Sequence, residues 1–213
     1  MRYDCYMQSS SLQVNMDLHS GSRGVGVHAT NFAFPYALFL LLAVPLTTRA
    51  LAADTTRVEA ARLRFAVPVT WTRVPAAENE VARYRLPAAE GDMGESFLVL
   101  RTQSAEEVVP PDAQLELWYA RFTQPDGRPT RAAASVLKRK VDDLRVTRTD
   151  VSGTYVASTA APGQQPGVSG YRLLGAVVEG DGGPWLFVVI GAKATVGGAR
   201  ADFDALLLSL ERH

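Results

Sequence analysis

The stretch Tyr171-Arg172-Leu173-Leu174-Gly175-Ala176-Val177-Val178-Glu179-Gly180-Asp181-Gly182-Gly183-Pro184-Trp185-Leu186-Phe187-Val188-Val189-Ile190 decides the fold. Leu173–Val178 and Trp185–Ile190 are nearly unbroken apolar runs, and Glu179–Pro184 between them is a cluster of turn residues. Two short apolar runs joined by such a cluster read as a β-hairpin. Because residues of both parities are apolar, both faces of these strands must leave water. An amphipathic helix is predicted next, over roughly Val196–Leu210. Ala199, Phe203, Leu206, Leu207 and Leu210 form its apolar stripe, with Arg200, Asp202 and Asp204 facing out.

Upstream, Arg62–Pro68 alternates like a strand and stops at Pro68. In Val81–Pro87, Ala82, Tyr84 and Leu86 share one face while Arg83 and Arg85 occupy the wet one. Ser96–Leu100 is apolar on both parities, so cover is expected on both sides. Pro110-Pro111-Asp112 opens a helix predicted over Asp112–Gln124, with Asp112 as its N-cap. Leu115, Trp118, Tyr119 and Phe122 fall at i, i+3, i+4 and i+7, a stripe that reads as core packing. Ala134–Ser158 returns to strand patterning with one wet face, as outer strands show. Ala160–Gly170 reads as a surface loop. The economical assembly is α+β: an αβα sandwich whose central, mainly antiparallel β-sheet is covered by helices on both faces.

The N-terminal region has a different character. Residues 1–31 form a polar, Ser- and Gly-rich leader without periodicity, expected to be disordered. Phe32–Leu46 is uncharged and apolar, and Thr47-Thr48-Arg49-Ala50-Leu51-Ala52-Ala53 follows. A basic flank, an apolar centre and a small-x-small site are the parts of a secretory signal, cleaved after Ala52 or Ala53. The apolar run is shorter than the ~20 residues of a spanning helix, so no stable membrane span is expected after cleavage. Residues 32–53 are therefore assigned to the signal and 54–213 to a single domain, exported to the periplasm or secreted. Cleavage removes Cys5, His19 and His28, leaving His213 as the mature chain's one histidine.

Composition excludes several function classes. The 22 basic and 22 acidic residues cancel. Loss of Arg2, Arg23, Arg49, Asp4 and Asp17 leaves 19 basic and 20 acidic residues in the mature chain. That balance argues against a nucleic-acid partner. One terminal histidine and no cysteine argue against a His-based catalytic triad and a zinc site, and no cofactor is implied. Ser135-Val136-Leu137-Lys138 has the Ser-x-x-Lys spacing without its companion motifs. Glu106/Glu107, Asp142/Asp143 and Asp202/Asp204 read as solvated charge. Lys138-Arg139-Lys140 is a short basic run followed closely by Asp142-Asp143, and docking of an acidic partner there is not testable from sequence.

Several segments resemble the PsbP-like fold family, which includes photosystem II PsbP, the small nuclear Ran-binding factor and exported bacterial proteins. They are Phe65-Ala66-Val67-Pro68 with Trp71, Tyr84-Arg85-Leu86-Pro87, Leu117–Gly127, Val151–Tyr155, Tyr171–Ala176 and Trp185–Gly191. The resemblance is nearest to the exported bacterial members and implies an αβα sandwich. It carries over no binding surface residue by residue. The expected function is a non-enzymatic domain that binds or stabilises a protein partner at the cell envelope. The alternatives are a carrier of a small apolar ligand held between the sheet and the Trp118 helix, and a carboxylate-dependent hydrolase. Trp71, Arg83, Arg85, Trp118 and Tyr119 are the candidate ligand or partner contacts.

Overall fold

A computed structural model describes residues 54–104, 106, 108–156 and 167–213. The leader and signal, and residues 160–166 of the predicted loop, lie outside the described residues. The described ones belong to one compact unit, Arg49–His213.

Strands Thr55–Ala60 (β1) and Leu63–Pro68 (β2) form an antiparallel hairpin, so Leu63, Phe65 and Val67 point to one side, where they are buried. Its two turn residues, Ala61 and Arg62, have φ of 49° and 65°. Such hairpin turns usually recruit Asn or Gly. Here the Trp185 indole donates to the Ala61 carbonyl at 2.7 Å and ties the turn to the core. Thr72–Val74 (β3), Ala82–Arg85 (β4) and Phe97–Thr102 (β5) follow.

Helix Pro111–Tyr119 (α1) is shorter than the predicted Asp112–Gln124. The chain leaves the helix because Phe122–Thr123 (β6) pairs with Tyr155 and Thr154. Pro110, not Asp112, is the N-cap, and Asp112 stands in the first turn. Proline fits this entrance because its missing N–H would have no helical partner. Thr130–Ala133 (α2) precedes the long strands Ser135–Val141 (β7), Leu144–Tyr155 (β8), Val168–Glu179 (β9) and Trp185–Ala192 (β10).

The predicted Val196–Leu210 helix is two helices, Lys193–Gly198 (α3) and Arg200–Leu208 (α4), then strand Glu211–Arg212 (β11). Gly197-Gly198 has low helix propensity and marks the break. At the other end, β11 pairs with β2 instead of continuing the helix. Ala199, Phe203, Leu206, Leu207 and Leu210 are all buried, as their spacing predicts.

Among the described residues the main sheet has eight strands, in the order β3-β4-β5-β10-β9-β8-β6, with β7 also pairing β8. Its strands pair antiparallel. A second, three-stranded sheet, β1-β2-β11, was not anticipated. Leu174, Ala176, Val178, Trp185, Phe187 and Val189 pack in one core with Val196, Phe203, Leu206, Leu207 and the inner face of β2. Burying each large apolar side chain of α4 contributes about 1.5–3 kcal/mol.

The alternate residues Leu173, Val177 and Leu186 pack with Leu115, Trp118, Tyr119, Phe122 and Val151 in a second core. Gly175 makes this packing fit, because a Cβ there would lie 2.5 Å from Cζ3 of Trp118. Cover on this face is incomplete, contrary to expectation for Ser96–Leu100. The sheet residues buried with α1 are Val151, Leu173, Val177 and Leu186. Phe97, Val99, Val188 and Ile190 are left half-buried.

Strand β8 also departs from expectation. It pairs on both sides and is central, not outer. Its polar residues Thr147, Arg148, Thr149 and Asp150 are buried, Arg148 to 3% exposure. Arg172 donates twice to Asp150, Nε to Oδ1 at 2.8 Å and Nη2 to Oδ2 at 2.7 Å. Arg148 Nη2 and Arg200 Nε stand 3.6 and 3.5 Å from Asp150 Oδ2. Asp204, expected to face water, instead lies 2.7 Å from Arg148 Nε. That contact is an ion pair without hydrogen-bond direction, since neither atom has a hydrogen-bond partner. The network joins α4 to the sheet where apolar contacts end.

Two substitutions test these contacts by urea unfolding. Gly175→Ala forces the Trp118 ring to move, and overpacking of this kind lowers stability by about 1–3 kcal/mol. Asp150→Asn leaves buried Arg148 short of anionic charge, and the expected loss is about 3–5 kcal/mol.

Candidate functional site

Strand β7 is an edge. It pairs with β8 from Ser135↔Asp150 to Val141↔Leu144, and among the described residues nothing pairs with its other side. The sequence makes this local structure directly. Alternating residues extend the chain, and Asp142-Asp143 closes a two-residue turn, with Asp142 at φ 53°. Aspartate is one of the few non-glycine residues that enter this region readily.

The edge presents Val136 and Leu137, 48% and 44% exposed, beside a row of cations. Lys138 Nζ pairs with Asp112 Oδ1 at 2.9 Å, which pins the strand to the first turn of α1. Arg139 and Lys140 have no ion-pair partner among the described residues. A cleft of about 560 Å³ lies between this strand and the entrance of α1, lined by Pro110, Pro111, Lys138, Arg139, Lys140 and Thr147 among others. A second, of about 650 Å³, shares Pro110, Pro111, Arg145 and Glu179 with it and continues to Val108 and Arg212.

The carboxylates around these clefts are already engaged. Glu179 pairs with Arg145 at 3.4 Å, and Arg212 pairs with Asp143 at 3.0 Å and Asp181 at 2.8 Å. The arrangement therefore offers free backbone donors and acceptors, exposed apolar side chains and unmatched positive charge. Those are the elements of strand addition by an extended chain. Ser135 and Lys138 stand three positions apart on this strand, hence on opposite faces, so they do not meet as the Ser-x-x-Lys spacing would require. Among the described residues no group of three or more His, Cys, Asp or Glu side chains is placed to hold a metal ion. No described helix is long and apolar enough to cross a membrane.

The residues singled out from sequence do not form one site. Trp71 is buried in the core on one face of the sheet, whereas Trp118 and Tyr119 belong to the core on the other. Tyr119 shares a 2.6 Å hydrogen bond with Thr149 Oγ1, and burial raises its phenol above the usual range. Arg83 donates to both oxygens of Glu80, at 2.9 and 2.8 Å, and lies over the Phe97 ring at 5.0 Å. Arg101 shares Glu80 at 3.3 Å, and Arg85 pairs with Glu95 at 3.0 Å. These arginines border the half-buried apolar part of the sheet. The basic run on β7 was visible in the sequence, but its place on an open edge was not. The Arg148 network was also missed. Its signal was two opposite charges, Arg148 and Asp150, at strand spacing on one face.

No protein-family model matches the chain, and no curated protein matches it. Among solved structures it is similar to cyanobacterial PsbP (CyanoP) from Synechocystis sp. PCC 6803, with 11% identity and a TM-score of 0.47 over 78% of this chain and 96% of that one. It is also similar to PA94, a protein of unknown function from Pseudomonas aeruginosa, with 11% identity and a TM-score of 0.44 over 76% of this chain and 99% of that one. The first belongs to the family that the sequence motifs resemble.

Glu80 supplies a pH test. Its burial opposes ionisation, but hydrogen bonds from Arg83, the Ala77 N–H and Arg101 outweigh that and hold the carboxyl below its ordinary 4.5. A lowered carboxyl stabilises the fold above the unfolded value, and that stability is lost as pH falls through the folded one. Chemical denaturation across an acid pH series should show stability falling from about pH 4.5 downward, with a shallower fall in Glu80→Gln.

Proposed function

We propose that this chain is an exported, non-enzymatic domain that binds a protein partner at the cell envelope. In this reading residues 1–31 are a leader, 32–53 a signal cleaved after Ala52 or Ala53, and 54–213 the mature domain. The domain is read as an αβα sandwich, α3 and α4 on one face of the sheet and α1 on the other. The order of basic flank, apolar centre and small-residue site supports export. The engagement of the cleft carboxylates with arginine and lysine supports a binding role over acid–base chemistry.

The observation that carries the reading is the β7 edge, open among the described residues, with Arg139 and Lys140 unmatched among them. The partner that fits it is an extended segment bearing acidic side chains. A second copy of this chain fits poorly. Antiparallel self-pairing centred on Lys138 sets Lys138 against Lys138 and gathers two Lys-Arg-Lys runs, and like charges directly opposite are destabilising.

The test places a photo-crosslinking amino acid at Leu137 in the full chain, in its native cells. The expected adduct is an envelope protein joined through an acid-rich segment, reduced about tenfold by Arg139→Glu with Lys140→Glu. Loss of every adduct, an adduct with the chain itself, or insensitivity to the charge reversal overturns partner docking at β7. Sequencing of the exported protein should begin at Ala53 or Asp54, and a retained residue 32 overturns the signal assignment.

A further inference from the structure

A further opening lies away from β7, between the β1–β2 hairpin and the β3–β4 end of the main sheet. It holds about 430 Å³ and is lined by Arg57, Val58, Val67, Trp71, Arg73 and Tyr84 among others. That volume suits a small molecule. Arg73 and Tyr84 are directly opposed across β3 and β4, so their side chains leave the sheet on the same face.

Tyr84 is unusual in this setting. The residue is 4% exposed, and its buried hydroxyl has no hydrogen-bond partner among the described residues. An unsatisfied buried hydroxyl weakens a fold, and such groups in native structures call for an explanation. The nearest explanation stands beside it. Burial pushes the phenol above the usual range, and the positive charge of Arg73, opposite it across β3 and β4, acts the other way. Arg73 itself is exposed and has no ion-pair partner among the described residues. The other charged groups on the cleft are matched: Arg57 with Glu211 at 3.0 Å, and Glu59 with Arg64. Trp71, 5% exposed, supplies an aromatic wall, and Val58 and Val67 an aliphatic one.

We propose that this cleft binds a small organic carboxylate with an apolar body. The carboxylate accepts from the Arg73 guanidinium and the Tyr84 hydroxyl, and the body rests against Trp71 and Val67. A guanidinium and a phenol together present donors to one anionic group, and charge-assisted bonds of this kind are the stronger class. The proposal does not depend on partner docking, because it uses different elements.

The test titrates the full chain with phenylacetate and follows the Trp71 indole signal by NMR, assigned through Trp71→Phe. Saturable movement of that signal below about 10 mM is expected, with the Trp118 and Trp185 signals unmoved. Phenylacetamide, which lacks the charge, should bind about tenfold more weakly or worse, and Arg73→Gln should weaken phenylacetate to a similar degree. Arg73 is exposed, so this variant should keep the thermal midpoint of the parent. Tyr84→Phe should leave the free protein at least as stable and lower phenylacetate affinity several-fold. Absence of saturation, equal binding of the amide, or unchanged affinity in Arg73→Gln overturns the proposal. Destabilisation of the free protein by Tyr84→Phe also overturns it, since the hydroxyl would then be satisfied without a ligand.

Discussion

Burial of both faces of β9 and β10 is the constraint on which the rest of the structure depends. Their residues are apolar on both parities, so each face must exclude water. One face is closed by α3, α4 and the β1–β2 hairpin, and the alternate residues of β9 by α1. Other features follow from that demand. Gly175 gives up its side chain so that the Trp118 ring can approach, and Trp185 reaches across to hold the β1–β2 turn at Ala61. The cover is unequal, because the sheet residues buried with α1 are confined to Val151, Leu173, Val177 and Leu186. Phe97, Val99, Val188 and Ile190 are therefore half-buried, bordered by the ion pairs of Arg83, Arg85 and Arg101.

The buried charges follow a different logic. Arg148, Asp150, Arg172 and Asp204 lie on the face that α4 covers, where the apolar contacts give way. Removing charges from water is expensive, and a buried network is weak evidence for added stability. Its geometry does specify how α4 sits, because Asp204 has one arginine to meet and Arg148 has no route to solvent. The apolar stripe of α4 provides attraction, and the charges select an orientation.

The two surface features belong to separate parts of the fold. The β7 edge offers backbone groups and unmatched cations to a chain. The Trp71 cleft holds the Tyr84 hydroxyl, without a hydrogen-bond partner among the described residues, and the Arg73 guanidinium, without an ion-pair partner among them. The β7 edge draws on exposed residues, whereas the cleft borrows Val67, Trp71 and Tyr84 from the core and adds the exposed Arg73. The conspicuous aromatic stripe of α1 is required for packing, so it is unavailable as a ligand cage. Edge strands of natural proteins commonly carry lysine to prevent indiscriminate pairing, and β7 carries Lys138 and Lys140 on either side of Arg139.

Much of the fold was legible in the sequence because its signals are local. Alternation placed Ala82, Tyr84 and Leu86 inward and Arg83 and Arg85 outward. Helical spacing identified Leu115, Trp118, Tyr119 and Phe122 as one buried group, and the turn cluster after Val178 marked the hairpin. Element ends were less legible: α1 stops at Tyr119 because Phe122 finds a strand partner in Tyr155, a choice made by a residue far along the chain. The alternation of β8 predicted a strand with one wet face, yet its polar residues are buried because distant arginines and aspartates meet there. The candidate surfaces were the least legible part. Lys138-Arg139-Lys140 is a basic run in any sequence reading, but only strand order leaves it on an open edge. Tyr84 reads as an ordinary core residue, and only tertiary packing leaves its hydroxyl without a partner opposite Arg73. Local periodicity determined which residues leave water; the pairing of distant segments decided which polar groups were left to meet something else.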